Sequence, residues 1–272
     1  MSAAPTPEME TLKSKLKSIW SAGDFSKVAE HIETAAEAFV DQLDIKSGMK
    51  VLDVACGSGN LAVLAAMEGA EVSGVDIAPN LINAARKRAY RNGLEIDFQE
   101  GDAESMPYED NSFDVVMTMF GAMFCPRPDV VVEELVRVAK PGGTIAMANW
   151  TPTGFAGQMF KLSAKYLPPP DMPPPVQWGV PEIVAERFGD RVENLTMTPR
   201  IADMVFDFEP AAAVEFFATY FGPVVMALKA MPEESRSAYL KDMESIWTEN
   251  NIGDEGKTLV KSEYLEVVAT KR

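Results

Sequence analysis

Val51-Leu52-Asp53-Val54-Ala55-Cys56-Gly57-Ser58-Gly59-Asn60 is the stretch on which the fold turns. Val51, Leu52 and Val54 suit a strand in a sheet interior. Gly57 and Gly59 let the backbone turn tightly and approach a ligand with no Cβ in the way. Leu61 to Met67 then reads as a helix. A strand that breaks through a glycine loop into a helix is the unit that seats a nucleotide-like group against a helix N-terminus.

Outward from this stretch the chain alternates strand and helix. Glu71 to Val75 reads as a strand ending at Asp76, and Pro79 suits the first turn of a helix that Asn92-Gly93 ends. Glu95 to Gln99 reads as a third strand, Phe113 to Met119 as a fourth, Asp129 to Ala139 as a helix. Pro141-Gly142-Gly143 then turns into a fifth strand, Thr144 to Trp150. Such alternation predicts an α/β fold with a doubly wound, parallel sheet. Before it, Met1 to Pro7 reads as a flexible tail. Leu12, Leu16 and Ile19 or Trp20 recur at helical spacing, with Lys13 and Lys17 on another face, and Asp24 caps a second helix reaching about Leu43. After Trp150 the pattern changes. Two triple-proline runs, Pro168-Pro169-Pro170 and Pro173-Pro174-Pro175, frame a stiff loop. Pro181 to Phe188 reads as a short helix, Asn194 to Phe206 as an edge strand because of Pro199, Glu209 to Thr248 as helical, and Ser262 to Thr270 as a closing strand.

Composition narrows the function. The chain has 272 residues, 47% hydrophobic and 24% charged, with 25 Lys and Arg against 41 Asp and Glu. A net charge of −16 argues against nucleic-acid binding, which needs clustered basic residues, and against anionic membrane surfaces. Cys56 and Cys125 provide neither a disulfide framework nor a zinc spacing, so a cytoplasmic protein without a metal site is expected. The longest apolar segment, Ala211 to Met231, contains Glu215, Lys229 and a Gly222-Pro223 break. It reads as buried helices, with no transmembrane segment. No oligomer is indicated.

Gly57-Ser58-Gly59-Asn60-Leu61-Ala62 also fits the dinucleotide fingerprint, and Asp76 stands where a ribose-binding acid would. This alone does not separate an NAD(P)-dependent oxidoreductase from other nucleoside binders. Two features shift the balance. Asp53 lies inside the first strand, where a carboxylate needs donors or a cation. Loop amides or an ammonium or sulfonium would both serve, whereas a pyrophosphate would be repelled. Gly101-Asp102-Ala103 follows the third strand, with an acceptor and a backbone N–H suited to an adenine edge or to an ordinary strand-end turn.

Here the chain resembles the class I S-adenosylmethionine-dependent methyltransferases. The matching segments are Val51 to Gly59, Gly74-Val75-Asp76, Gly101 to Pro107, Asn111-Ser112-Phe113-Asp114 and Leu135 to Gly143, in the family's order over about residues 46–150. The stretch from Gly101 to Asp114 is most similar to the branch containing quinone C-methyltransferases. One departure is Ala55, which replaces the family's first loop glycine. The resemblance implies a Rossmann-like sheet of seven strands whose last, Ser262 to Thr270, is antiparallel beside Asn194 to Phe206. It implies S-adenosylmethionine as cofactor, with Asp53 near its methionine part, Gly57 and Gly59 beneath, Asp76 on the ribose and Ile77 beside the adenine. Asp102 and Ala103 would take the adenine edge, and Met119 would offer backbone atoms near the amino group. Ala55 and Asn60 belong to the same loop, and Trp20 closes from the N-terminal side with Phe25.

The expected organisation is an N-terminal helical lid (1–45), the cofactor core (46–150), a substrate cap with the edge strand and helices (151–257) and a last strand returning to the core (258–272). The methyl acceptor is expected to be a small, apolar or aromatic molecule (quinol, phenol, thiol or lipid-like) beside Phe124, Trp150, Phe155 and Trp178. In-line displacement from a sulfonium needs a base only if the acceptor must lose a proton. No motif names one. His31, the single histidine, suits a packed or solvated role better, and Tyr166, Tyr220 and Asp171 are unranked. A non-catalytic S-adenosylmethionine-binding protein is the other alternative.

Overall fold

The structure, a computed structural model, describes residues 5–272. Most of the expected N-terminal tail lies outside the described residues. Its last member, Pro7, already opens helix α1 (Pro7–Trp20), whose first turn is capped by Thr6 accepting from the Met9 N–H at 3.3 Å. Asp24 caps α2 (Phe25–Ala29) as expected, accepting from the Ser26 N–H. The helix then breaks instead of running on. Ile32, at φ −126° and ψ 19°, leaves the helical region before α3 (Glu33–Asp41). The cause lies next door: His31 Nδ1 is 2.6 Å from the Val205 carbonyl oxygen, which draws this turn onto the sheet edge.

The glycine-loop region then follows the predicted alternation. Its elements are β1 (Lys50–Val54), α4 (Asn60–Met67), β2 (Glu71–Asp76), α5 (Pro79–Arg91), β3 (Asp97–Glu100), β4 (Phe113–Met119), α6 (Pro128–Val138) and β5 (Ala139–Trp150). β3 starts later than its residue pattern suggests, because the Leu94 N–H still closes the end of α5 on the Ala89 carbonyl. β5 starts earlier. Ala139 already pairs with Phe113, and a bulge carrying Pro141-Gly142-Gly143 precedes the regular ladder from Thr144. Gly142 takes φ +77° in that bulge.

Beyond Trp150 come α7 (Phe155–Tyr166), α8 (Pro181–Phe188), β6 (Val192–Phe206), α9 (Pro210–Tyr220), α10 (Gly222–Ala230), α11 (Glu233–Asn250) and β7 (Thr258–Lys271). α9 and α10 are bent by 82° at their junction, and no single helix among the described residues is long and apolar enough to cross a membrane. α7, α9 and α11 pack together on Tyr239, Met243 and Trp247, all fully buried.

One seven-stranded sheet runs β3-β2-β1-β4-β5-β7-β6. All neighbours are parallel except that β7 runs antiparallel to both β5 and β6. β6 is an edge, which accommodates Pro199. In β1 the four residues Val51 to Val54 are all buried, so both faces of the central strand are covered. The chain reverses direction across the sheet between β1 and β4. The gap at their carboxyl ends is the topological switch point where ligands of this architecture bind.

Candidate cofactor and acceptor site

The loop after β1 is built from left-handed backbone. Ala55 has φ +53°, Gly57 +52° and Gly59 +78°. Ala55 is the costly one, since a Cβ disfavours this region by roughly 1–2 kcal/mol. Its neighbour across the switch point makes room. A Cβ on Gly121 would stand 2.6 Å from the Ala55 Cβ, so only glycine fits opposite it. Phe120, just before, is also left-handed at φ +56° and is buried. Both switch-point loops therefore hold a strained residue at the carboxyl end of a central strand, where strain marks function more often than chance.

Three carboxylates organise the loops. Asp53 Oδ2 accepts the Ala62 N–H of α4 at 3.0 Å. Asp76 accepts twice, from the Gly57 N–H and the Ala78 N–H, both at 2.8 Å. It thus ties the glycine loop to the start of α5. Burial pushes the Asp53 carboxyl well above the ordinary carboxylate range, and the charge of Asp76 adds to this against the opposing Ala62 hydrogen bond. Burial likewise raises Asp76, opposed by its two backbone donors. Both acids are partnered by backbone amides, yet each oxygen bonded here retains acceptor capacity. Asp102 closes the turn after β3, its Oδ1 accepting the Glu104 N–H at 2.9 Å.

A cavity opens at these strand ends. Asp53, Ala55, Gly57 and Asn60 line one wall, Asp76, Ile77, Asp102 and Ala103 a second, and Met119 and Phe120 a third. Gly59 does not line it. A Cβ there would strike the Phe98 ring at 2.9 Å, so Gly59 is required for packing α4 on β3 rather than for contact with a ligand. Gly57 is different: a Cβ there would meet only Phe25 at 3.9 Å, which leaves its space to the cavity.

The remaining wall is apolar and comes largely from the N-terminal helices. Leu16, Trp20, Phe25, Ile32 and Ala36 line it, with Phe124 from the turn after β4. Trp20 meets Phe124 edge-on at 4.9 Å and Phe25 at 5.9 Å. Lys13 lines the cavity too, so it does not stand on a different face from Leu16 and Trp20 as the sequence reading expected. Of the expected acceptor residues, only Phe124 is at the cavity. Trp150 lies behind it, stacked on Phe120 at 3.5 Å. Phe155 packs on Trp247, and Trp178 is 1% exposed under the Arg187 guanidinium. Their aromatic character, which suggested a pocket, serves the core. His31 packs against Phe206 and Phe216, Tyr166 donates to Asp242, Asp171 is exposed, and Tyr220 packs at a tilt on Phe216; none lines the cavity.

Lys13, Leu16, Ile32 and Ala36 are among the lining residues that sequence reasoning did not assign. For the first two a signal existed, since 13, 16 and 20 follow the spacing of one helix face. The lining fits S-adenosylmethionine on its donor chemistry. The carboxylates Asp53, Asp76 and Asp102 are acceptors facing a cavity whose ligand would bring a sulfonium, an ammonium, ribose hydroxyls and an adenine amino group.

Comparison with known proteins agrees. A family model described as "Methyltransferase domain" matches residues 52–147. An uncharacterized protein of Mycobacterium tuberculosis is 34% identical over 272 residues, 98% of each chain. Methyltransferase GfsG of Streptomyces halstedii is 39% identical over 125 residues, 45% of each chain, and the demethylmenaquinone methyltransferase of Paenarthrobacter aurescens is 37% identical over 41% of this chain and 43% of its own. Among solved structures, a putative methyltransferase from Bacillus halodurans superposes with TM-score 0.58 at 21% identity, covering 88% of this chain and 99% of its own.

Proposed function

Because the chain belongs to the class I S-adenosylmethionine-dependent methyltransferases, we propose that it methylates a small, apolar or aromatic acceptor, acting in the cytoplasm. The observation that carries this reading is the two-sided lining of one cavity. Carboxyl groups stand at the strand ends, and Leu16, Trp20, Phe25 and Phe124 stand opposite.

Bound S-adenosylmethionine supplies a methyl carbon activated on a sulfonium. In this reading Asp53 offers negative charge to the cationic end, alongside the backbone of Met119. Asp76 accepts from the ribose hydroxyls with the capacity its backbone donors leave, and Ile77 flanks the purine. Asp102 and the Ala103 N–H take the purine edge, while Ala55, Gly57 and Asn60 form the floor. Gly59 acts indirectly, by letting α4 pack. Trp20, Phe25 and Phe124 exclude water from the reacting end, so that rate comes from alignment and desolvation. α1 to α3 serve as the lid, and the helices between 151 and 257 as the cap. Trp150 acts through Phe120, and Phe155 and Trp178 act as framework.

Incubation with methyl-labelled S-adenosylmethionine and a panel of quinols, phenols, thiols and lipids tests this. Label is expected on an apolar or aromatic acceptor. Cofactor binding without label on any member would overturn the acceptor class, and tight NADH binding without S-adenosylmethionine binding would overturn the cofactor reading.

A further inference from the structure

α1 buries none of its residues fully, yet it roofs the cavity. Its fastening is polar. The Lys13 ammonium is 2.5 Å from Asp102 Oδ2 and 2.6 Å from Glu104 Oε2, and the Lys13 side chain is only 13% exposed. Glu104 is wholly buried and is held in turn by Arg127, which donates its backbone N–H to Oε1 at 2.7 Å and its Nε to Oε2 at 2.6 Å. The two carboxylates Asp102 and Glu104 stand two residues apart in one tight turn, where the Ser105 N–H bonds the Asp102 carbonyl. Like charges at this spacing repel, and the Lys13 ammonium is what bridges them. Asp102 Oδ1 is already committed to the Glu104 N–H, so Oδ2 is its outward-facing acceptor, and Lys13 fixes where it points.

We propose that Lys13 is a positioning residue for the adenine end of the cofactor: it holds Asp102 Oδ2 toward the cavity, so that recognition of a purine 6-amino group depends on a lysine of the N-terminal helix. This rests on the reading of Asp102 as acceptor for that amino group. An ionised carboxylate oxygen accepts two donors, so the ammonium and an amino N–H share Oδ2 without competing. Without Lys13, Asp102 and Glu104 repel each other. Asp102, whose side chain is 30% exposed, is free to turn to water, while Glu104 stays on Arg127.

The test is a cycle between residue and ligand. Adenosine and purine riboside, which lacks the 6-amino group, each compete against labelled S-adenosylhomocysteine on the full chain. The wild-type chain is expected to prefer adenosine by about tenfold, the scale of one hydrogen bond to a charged acceptor. In Lys13→Met the preference is expected to fall within about twofold, with Lys13→Arg restoring most of it and Lys17→Met, whose partner Glu100 lies outside the cavity, leaving it intact. A Lys13→Met chain that keeps the wild-type preference, or that loses affinity for both nucleosides equally, overturns the proposal. A wild-type chain without preference overturns instead the assignment of Asp102 to the amino group. Thermal melts of the free variants check folding, and Lys13→Gln carries the same expectation should the methionine variant fail to fold.

Discussion

Asp76 accepts two backbone N–H groups that have no other partner, one from the glycine loop and one from the start of α5. Asp76→Ala strands both. A buried donor left unsatisfied costs about 1–3 kcal/mol, so urea denaturation is expected to show a loss of about 3 kcal/mol, with calorimetry showing at least a tenfold weaker S-adenosylhomocysteine complex. Unchanged affinity in a folded variant would contradict the ribose assignment. The acids also set a pH dependence. Burial places the folded values of Asp53 and Asp76 above those of the unfolded chain. Stability linked to their protonated form is therefore fully present below about pH 4, the unfolded carboxylate value, and is lost as pH rises through the raised folded values. Asp53→Asn keeps an acceptor for the Ala62 N–H and removes this loss. The variant's advantage over the wild type in urea melts is expected to be larger at pH 8 than at pH 4.5. A cation binding beside these acids lowers their values again. S-adenosylmethionine binding should thus release protons, seen as a buffer-dependent calorimetric enthalpy. At this scale the glycine loop and its acids were legible from residue type alone. The packing role of Gly59 was not, because the Phe98 ring that demands it lies on another strand.

α1 and α10 touch where Gly222 faces the end of α1. A Cβ on Gly222 would fall 2.2 Å from the Ile19 carbonyl oxygen and 2.6 Å from that of Ala22. Backbone atoms do not yield as side-chain tips do, so Gly222→Ala must push α1 off the cavity at a cost of about 1–3 kcal/mol. Faster tryptic cleavage at the lysines of α1 and several-fold weaker S-adenosylhomocysteine binding are expected, with the circular dichroism of the sheet preserved. Equal cleavage rates in both chains would show that α1 is held elsewhere. The boundaries of β1, β4 and α8 and the N-termini of β2 and α5 were readable from alternation, proline and glycine. The break at Ile32 was not, since the partner that draws His31 aside is the Val205 carbonyl, far along the chain.

At the scale of the molecule, β7 is the strand that joins the two halves of the sheet. It pairs with β5 over Thr144 to Trp150 and with β6 along nearly its whole length. Truncation before Thr258 removes β7 with its fully buried Val260 and Val267, which separates β6 from the parallel strands and uncovers the residues they packed on. Loss of a cooperative melting transition is expected, and a truncated chain that still melts cooperatively would show the parallel strands to be an independent domain. The antiparallel last strand followed only from the family resemblance. The fold class followed from the alternation of strands and helices and the edge position of β6 from one proline, because both obey local pattern. The strand-end wall of the cavity was readable for the same reason: Asp53, Gly57, Asp76 and Asp102 sit at fixed offsets from strand ends. The apolar wall was not. Trp150, Phe155 and Trp178 have the composition of a pocket but are buried in the core, while Leu16, Ile32 and Ala36, on helices remote in sequence, line the cavity. Amphipathic patterning tells which residues leave water. Only the docking of helices onto the sheet decides whether they face a core or a ligand.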